Sequence, residues 1–189
     1  MSERQRAERM LMERGLSPEL EEHCRGTALQ AERLARRWGA APDDAAIAGL
    51  LHDLCRELTP EEVLRLAHEH GLETDTIEEE YAVQLLHARV AAEVVVEAGF
   101  ALQVAEAIRR HTLGGAGMSV LDACLFVADA TEPGRTWKGV DEVRRQATES
   151  LDAAVLSLAR RDVERLRARG REPHPRMLAL LEEKHGAQV

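Results

Sequence analysis

A histidine followed directly by an aspartate, His52 and Asp53, lies inside the apolar stretch AGLLHDLCREL at positions 48 to 58. Polar side chains in such surroundings are costly unless each has a partner. On a helix the two side chains would diverge by about 100°, so both could reach one ion above the groove between them. The pair therefore indicates a metal site, provided that other polar residues converge on it.

Four further polar residues lie on otherwise apolar helix faces, judged by their neighbours three, four and seven positions away. They are His23, His87, His111 and Asp129. A lone histidine in such a place is more often a hydrogen-bonded core residue than a ligand, but a carboxylate such as Asp129 is rarely buried without a cation. Separate burial would cost roughly a few kcal/mol for each group, whereas one shared metal centre would satisfy all of them.

The candidate ligands are imidazoles and carboxylates, with no obvious thiolate. This set suits iron, manganese or catalytic zinc and disfavours a structural zinc or iron-sulfur site. Because the ligands come from separate helices, we expect the metal also to hold those helices together. His68, His70 and His185 are left out, since a helix C-terminus explains a cationic side chain there.

Helix signals recur along the chain, while alternating, β-branched or aromatic-rich runs are almost absent, so the sequence predicts an all-α protein. N-cap residues, prolines in first turns and terminal glycines mark the ends of the helices. The predicted helices span 17–38, 42–58, 59–71, 77–98, 101–111, 119–130, 140–169 as one or two helices, and 175–185.

The charge and composition of the chain limit the classes of partner that it can bind. The formal net charge of −9 argues against nucleic-acid binding, which needs a basic surface, but permits a small anionic ligand at a locally positive site. The amphipathic, charged N-terminus MSERQRAERMLMERG argues against a signal peptide or membrane span, so we expect a cytoplasmic protein with no membrane partner. The three scattered cysteines are predicted to be reduced core residues: Cys24, Cys55 and Cys124.

The order His23, His52 with Asp53, then Asp129 resembles the HD superfamily of metal-dependent phosphohydrolases. The stretches LLHARVAAEVVVEAG (85–99), AIRRHTLG (107–114) and MSVLDACLFVADATEPGR (118–135) narrow the resemblance to the YqeK family of symmetrical diadenosine tetraphosphate hydrolases. It implies a single-domain HD-type helical bundle with the metal centre between core helices. We expect an N-terminal helix at 1–15, the HD domain at 16–176, and a C-terminal helix at 177–189 packed on the same domain.

The resemblance also implies the roles of individual residues. By it, iron is bound by His23, His52, Asp53 and Asp129. His87, His111 and Thr112 would contact the phosphates or a second metal, and Arg56 and Arg135 would contact nucleotide phosphates. The loop implied to close over the nucleoside consists of Gly170, Arg171, Glu172, Pro173, His174 and Pro175.

The sequence departs from the family's pattern in places. Family members often carry a basic residue where this chain has Leu20, so one phosphate contact is missing. Aromatic residues make up 3% of the chain, which leaves Trp137 and Tyr81 as the main candidates for base stacking, although packing is the better explanation of both. The sequence therefore leaves the choice between adenine and guanine open.

The expected reaction is hydrolysis of diadenosine tetraphosphate at its centre to two ADP by a metal-activated hydroxide. The metal is expected to be divalent or trivalent, most simply iron and in a mononuclear or dinuclear site, with manganese or another transition metal able to replace it. Asp53, His87 and His111 are the expected catalytic residues. Two alternatives stay open, another HD-type nucleotide phosphohydrolase or phosphodiesterase and a non-catalytic nucleotide-sensing module, and the oligomeric state, including a homodimer, is undetermined.

Overall fold

The computed structural model describes residues 1–186, and every regular element in this range is an α-helix. The predicted all-α class is confirmed. The helices in chain order are α1 (Glu3–Arg14), α2 (Pro18–Trp38), α3 (Pro42–Leu51), α4 (Pro60–Glu69), α5 (Thr76–Glu80), α6 (Ala82–Glu97), α7 (Leu102–Arg110), α8 (Val120–Thr131), α9 (Val140–Glu149), α10 (Leu151–Ala168) and α11 (Pro175–Gly186).

Local capping signals set most helix ends. The Ser17 side chain accepts a hydrogen bond from the Leu20 N–H at the start of α2, and α2 ends at Gly39 with a left-handed φ of 80°. Thr59 and Glu62 form the predicted reciprocal capping box at the start of α4. These positions show how closely side-chain chemistry within one turn determines where a helix begins.

The helix predicted over 42–58 is wrong in its second half, because α3 ends at Leu51. Tight turns follow, in which the Leu54 N–H donates to the Leu51 carbonyl and the Arg56 N–H donates to the Asp53 carbonyl. The Leu54 carbonyl accepts from Arg14 Nε of α1 at 2.7 Å, a tertiary contact that replaces a helical one. His52 and Asp53 therefore lie at the end of a helix, and the irregular backbone lets their side chains take different directions.

The helix predicted over 77–98 is also wrong, since it is divided at Tyr81 into α5 and α6. Asp75 caps α5, accepting from the Ile77 and Glu78 N–H groups. The Glu78 side chain is buried and pairs with Arg89 of α6 at 2.6 Å, an ion pair that residues eleven positions apart on one straight helix could not form. The region 140–169 forms the two helices α9 and α10.

The core is built around α2, α3 and α8, which pack against one another, while α6 and α7 close one side and α10 and α11 another. Gly49 of α3 makes the crossing with α2 possible: a Cβ there would lie 2.5 Å from the Ala28 Cα. This close approach brings the ends of α2 and α3 that carry histidines to the same place. Within residues 1–186 no helix combines the length and apolarity that crossing a membrane requires.

Candidate metal centre and substrate cavity

Three side chains from α2, α8 and the end of α3 meet at one point, and we call them the first cluster: His23, His52 and Asp129. His23 Nε2 lies 3.2 Å from His52 Nε2 and 3.0 Å from Asp129 Oδ1. His52 Nε2 lies 3.9 Å from the same carboxylate oxygen. The sequence-predicted ligands on three separate helices thus present donor atoms to a common space.

His87 of α6 and His111 at the end of α7 form a second cluster. Their Nε2 atoms are 3.3 Å apart, and both rings are buried. Asp53 Oδ1 faces this pair, 2.9 Å from His87 Nε2 and 3.5 Å from His111 Nε2. The second cluster therefore offers fewer protein donors than the first.

Asp53 joins the two clusters through its two oxygens. While Oδ1 faces His87 and His111, Oδ2 lies 3.5 Å from His52 Nε2 and 3.9 Å from His23 Nε2. Burial would raise the pKa of Asp53, but the imidazoles of His52, His111 and His87 around it hold that pKa well below its usual range. The carboxylate is thus ionised and offers one oxygen to each cluster.

The backbone orients the imidazoles. Nδ1 of His52, His87 and His111 lies 2.7–2.8 Å from the carbonyls of Gly49, Val83 and Ile108, respectively. Because a carbonyl can only accept, each Nδ1 carries a hydrogen, and Nε2 is the ring nitrogen that faces the centre. Burial lowers the pKa of His52 to about 4, so this ring is neutral at neutral pH.

These residues fit a metal ion. The Nε2 atoms are 3.2 Å apart in the His23–His52 pair and 3.3 Å apart in the His87–His111 pair, close enough for both nitrogens of a pair to bind one cation. Arg135 Nη2 lies 2.7 Å from Asp129 Oδ1 and 3.2 Å from His23 Nε2. A positively charged guanidinium thus contacts two of the atoms that would bind a cation. Imidazole and carboxylate donors are the ligands of catalytic zinc, iron and manganese sites. The predicted cation site is thus supported by its donor chemistry.

The cysteines add no ligand to this set. All three are buried, which confirms the prediction that they are core residues, and none is paired with another cysteine in residues 1–186. Burial raises the pKa of Cys55 to about 11 and that of Cys124 to about 12, so neither thiol ionises at neutral pH.

Glu132 was missed by the sequence reasoning. Its Oε1 lies 3.2 Å from His23 Nδ1, so it holds the ring with Nε2 facing the centre, as carboxylates commonly do behind metal-binding histidines. Gly26 makes room for it, since a Cβ there would lie 2.7 Å from Glu132 Oε2. The available signal was an acidic residue three positions after Asp129, in the TEPGR turn.

A cavity of about 360 Å³ opens onto both clusters. Ten of the predicted site residues line it: Asp53, Arg56, His87, His111, Thr112, Asp129, Arg135, Arg171, Glu172 and His174. His23 and His52 do not line it, and neither do Gly170, Pro173 and Pro175. The first cluster therefore lies mostly beneath the cavity floor, whereas the second cluster is part of its wall.

Arg161 and Arg165 of α10 also line the cavity, and the sequence reasoning missed them. Arg161 lies over the Trp137 ring at 4.0 Å, while Arg171 lies over the Tyr81 ring at 4.8 Å. The only signal was a pair of basic residues four positions apart on a charged helix, which normally indicates a solvated face. The cavity thus contains more arginines than the motifs suggested, and Asp162 of the same wall pairs with both Arg161 and Arg165.

The 170–175 loop is held on the side away from the cavity by hydrogen bonds of His174. His174 Nε2 donates to Asp75 Oδ2 at 2.8 Å, and its Nδ1 accepts from the Arg176 N–H at the start of α11. The neighbouring Glu78 pairs with Arg89 and, at 3.3 Å, with Arg176. Asp75, Glu78 and His174 form a third group close enough to hold an ion, but these arginines already neutralise Glu78, and we interpret the group as the anchor of the loop.

Residues 20–134 match the family model of the HD domain. The chain is 35% identical over 136 residues to the symmetrical bis(5'-nucleosyl)-tetraphosphatase of Bacillus subtilis, covering 71% of this chain and 72% of the relative. It is 36% identical over 138 residues to the enzyme of the same name from Halalkalibacterium halodurans, covering 72% of this chain and 73% of the relative.

A solved structure from Clostridium acetobutylicum, described as a predicted HD superfamily hydrolase involved in NAD metabolism, superposes with a TM-score of 0.92. The two chains share 28% identity, and the match covers 99% of each. The order of the clustered histidines and aspartates, the helical fold and these relatives agree. This chain belongs to the HD-domain family and, within it, to the group that contains the symmetrical bis(5'-nucleosyl)-tetraphosphatases.

Proposed function

We propose that this protein hydrolyses diadenosine tetraphosphate symmetrically to two ADP. The observation that carries the proposal is the position of Asp53, whose two oxygens face two separate groups of imidazole nitrogens at the floor of a cavity lined by five arginines. Relatives that share more than a third of the matched residues are named for this reaction. A tetraphosphate bridge carries negative charge on both sides of its central anhydride. A site with two cation-binding clusters, one for each side, suits this charge distribution.

We assign the first cluster and Asp53 Oδ2 to one metal ion, and the second cluster with Asp53 Oδ1 to a second ion or to substrate phosphate. The nitrogen and oxygen donors favour iron, and manganese accepts the same ligands. A bound ion supplies Lewis-acid charge and lowers the pKa of a coordinated water toward about 7. Asp53 then holds the two halves of the centre in a fixed relation.

Cationic side chains stand beside each half. Arg135 contacts Asp129 of the first cluster, at 2.7 Å. Arg56 lines the cavity, donates to the Val83 carbonyl at 3.0 Å and contacts no carboxylate within residues 1–186, so its remaining N–H groups are available to phosphate oxygens. A guanidinium on each side favours binding of one diphosphate to each half, with the central anhydride between them.

Phosphoanhydride hydrolysis is limited mainly by charge repulsion and by positioning of the attacking water. We assign His87 and His111, which line the cavity, to the phosphate oxygens or to the second ion, with Thr112 beside them. Arg171, Glu172 and the anchored His174 form the part of the 170–175 loop that faces the substrate, whereas Gly170, Pro173 and Pro175 shape its backbone.

The test is chromatographic identification of the products from a panel of dinucleoside polyphosphates, with the protein loaded with iron or with manganese. ADP as the sole product from diadenosine tetraphosphate is the expected result. AMP with ATP would exclude symmetrical cleavage, and bound but intact substrate in excess metal would indicate a sensor. Replacing adenine by guanine in the panel measures the base preference that the sequence leaves open.

A further inference from the structure

A second cavity, of about 540 Å³, lies between α2, α9 and the turn after α8. It shares no lining residue with the substrate cavity. Its wall consists of Gln30, Arg33, Leu34, Arg37, Thr131, Pro133, Arg144, Arg145 and Thr148. Four of these nine residues are arginines and none is acidic, in a chain whose formal net charge is −9.

The four arginines are not equally available. Arg145 pairs with Glu142 and Glu149 on its own helix, and Arg144 pairs with Asp141 at 2.8 Å. Arg33 and Arg37, one turn apart on α2, contact no carboxylate within residues 1–186. Arg33 donates to the Gln30 amide oxygen at 3.4 Å, and Arg37 lies over the Trp38 ring at 5.5 Å. The cavity therefore carries two positive charges that the protein does not neutralise.

We propose that this cavity binds a phosphate-bearing anion, either free phosphate or the diphosphate of a nucleotide. Guanidinium groups donate paired hydrogen bonds to phosphate oxygens and are the usual recognition group for them. Arg33 and Arg37 supply the charge, while Leu34 and Pro133 give an apolar surface beside it. The volume lies within the range of about 300 to 1,000 Å³ found for small-molecule sites.

The location ties this cavity to the segment behind the metal centre. Arg144 donates to the carbonyls of Thr131, Glu132 and Arg135 at 2.7–3.0 Å. Glu132 holds His23, and Arg135 contacts Asp129. An anion in the cavity would therefore contact Arg144, the same side chain that holds the turn carrying Glu132 and Arg135.

The experiment is isothermal titration of the full-length, metal-loaded protein with ADP and, separately, with inorganic phosphate. It compares wild type with the double variant Arg33→Gln/Arg37→Gln. Both side chains are exposed, so the double variant is expected to fold. The control is Arg36→Gln, which removes one positive charge from the same helix at an exposed position that does not line the cavity.

We expect wild type and the Arg36→Gln control to show a binding event beyond that of the substrate cavity. In the double variant this event should weaken at least about tenfold, since two charged hydrogen-bonding groups are lost. Dependence on Arg33 and Arg37 with ADP alone would identify a nucleotide site, and the same dependence with phosphate would identify a site for the free ion. The proposal is overturned if neither ligand shows an event that the double variant weakens. Turnover of diadenosine tetraphosphate by wild type tests the proposed function separately.

Discussion

The two clusters at the centre of the molecule differ in the number of their ligands and in their access to the cavity. The first cluster has two imidazoles and a carboxylate, lies mostly beneath the cavity floor and is held by Glu132 from behind. The second has two imidazoles, both in the cavity wall, and only Asp53 Oδ1 as a carboxylate donor. The side chains of the two clusters thus have similar chemistry but different surroundings.

This difference indicates that the two clusters have different roles in binding the metal and the substrate. A cation with more protein ligands and less exposure is bound more tightly, whereas a site with fewer protein ligands keeps positions open for water and substrate oxygens. We therefore expect the first cluster to hold its ion permanently and the second to complete its coordination with the phosphates. Asp53 contributes one oxygen to each cluster, so both clusters depend on this residue.

The largest effect is expected for Asp53→Ala, which removes an oxygen from each cluster. Metal content should fall at both positions, and turnover should fall by more than about a thousandfold. Metal analysis beside a steady-state assay measures both quantities. Asp43→Ala, an exposed position on α3, the helix that precedes Asp53, is the control and should keep wild-type turnover. Retained activity in Asp53→Ala would refute the role assigned to this carboxylate.

His52→Ala tests the first cluster alone. It removes one buried Nε2 donor, and we expect loss of the permanently held ion and a fall in turnover of at least about a hundredfold. Excess iron or manganese should not restore activity, because the missing ligand cannot be supplied by substrate. His68→Ala, at an exposed position, is the matched control. Full metal content in His52→Ala would show that this histidine is a core residue only.

His87→Ala is expected to have a smaller effect, because the second cluster relies partly on substrate. The permanently held ion should remain, turnover should fall by about ten- to a hundredfold, and added metal should recover part of the loss. Titration of turnover against metal concentration distinguishes this behaviour from that of His52→Ala. Identical metal dependence in the two variants would remove the proposed difference between the clusters.

The smallest effect is expected for Glu132→Gln, which keeps the shape of the side chain behind His23 but removes its charge. We expect about a tenfold loss of metal affinity, because an orienting carboxylate makes its histidine a better donor. A chelator competition series measures the affinity, and turnover at saturating metal should change little. A loss as large as that of His52→Ala would make Glu132 a ligand in its own right.

The residue types of the centre could be predicted from the sequence because the mismatch between a polar side chain and an apolar helix face is local. His23, His87, His111 and Asp129 were each identified from neighbours within two turns, and the capping residues Ser17 and Thr59 were identified within one. Ligand chemistry follows from residue type alone, so a cation site could be predicted before any fold was known.

Tertiary structure alone decided how these groups face one another. The end of α3 at Leu51, which separates the directions of His52 and Asp53, depends partly on Arg14 of another helix. Glu132 reaches His23 across 109 residues only because Gly26 leaves space for it. Helix signals act over about four residues, whereas the division of the centre into two clusters depends on which helices pack together. Local chemistry therefore determined the donors, and long-range packing determined their partners.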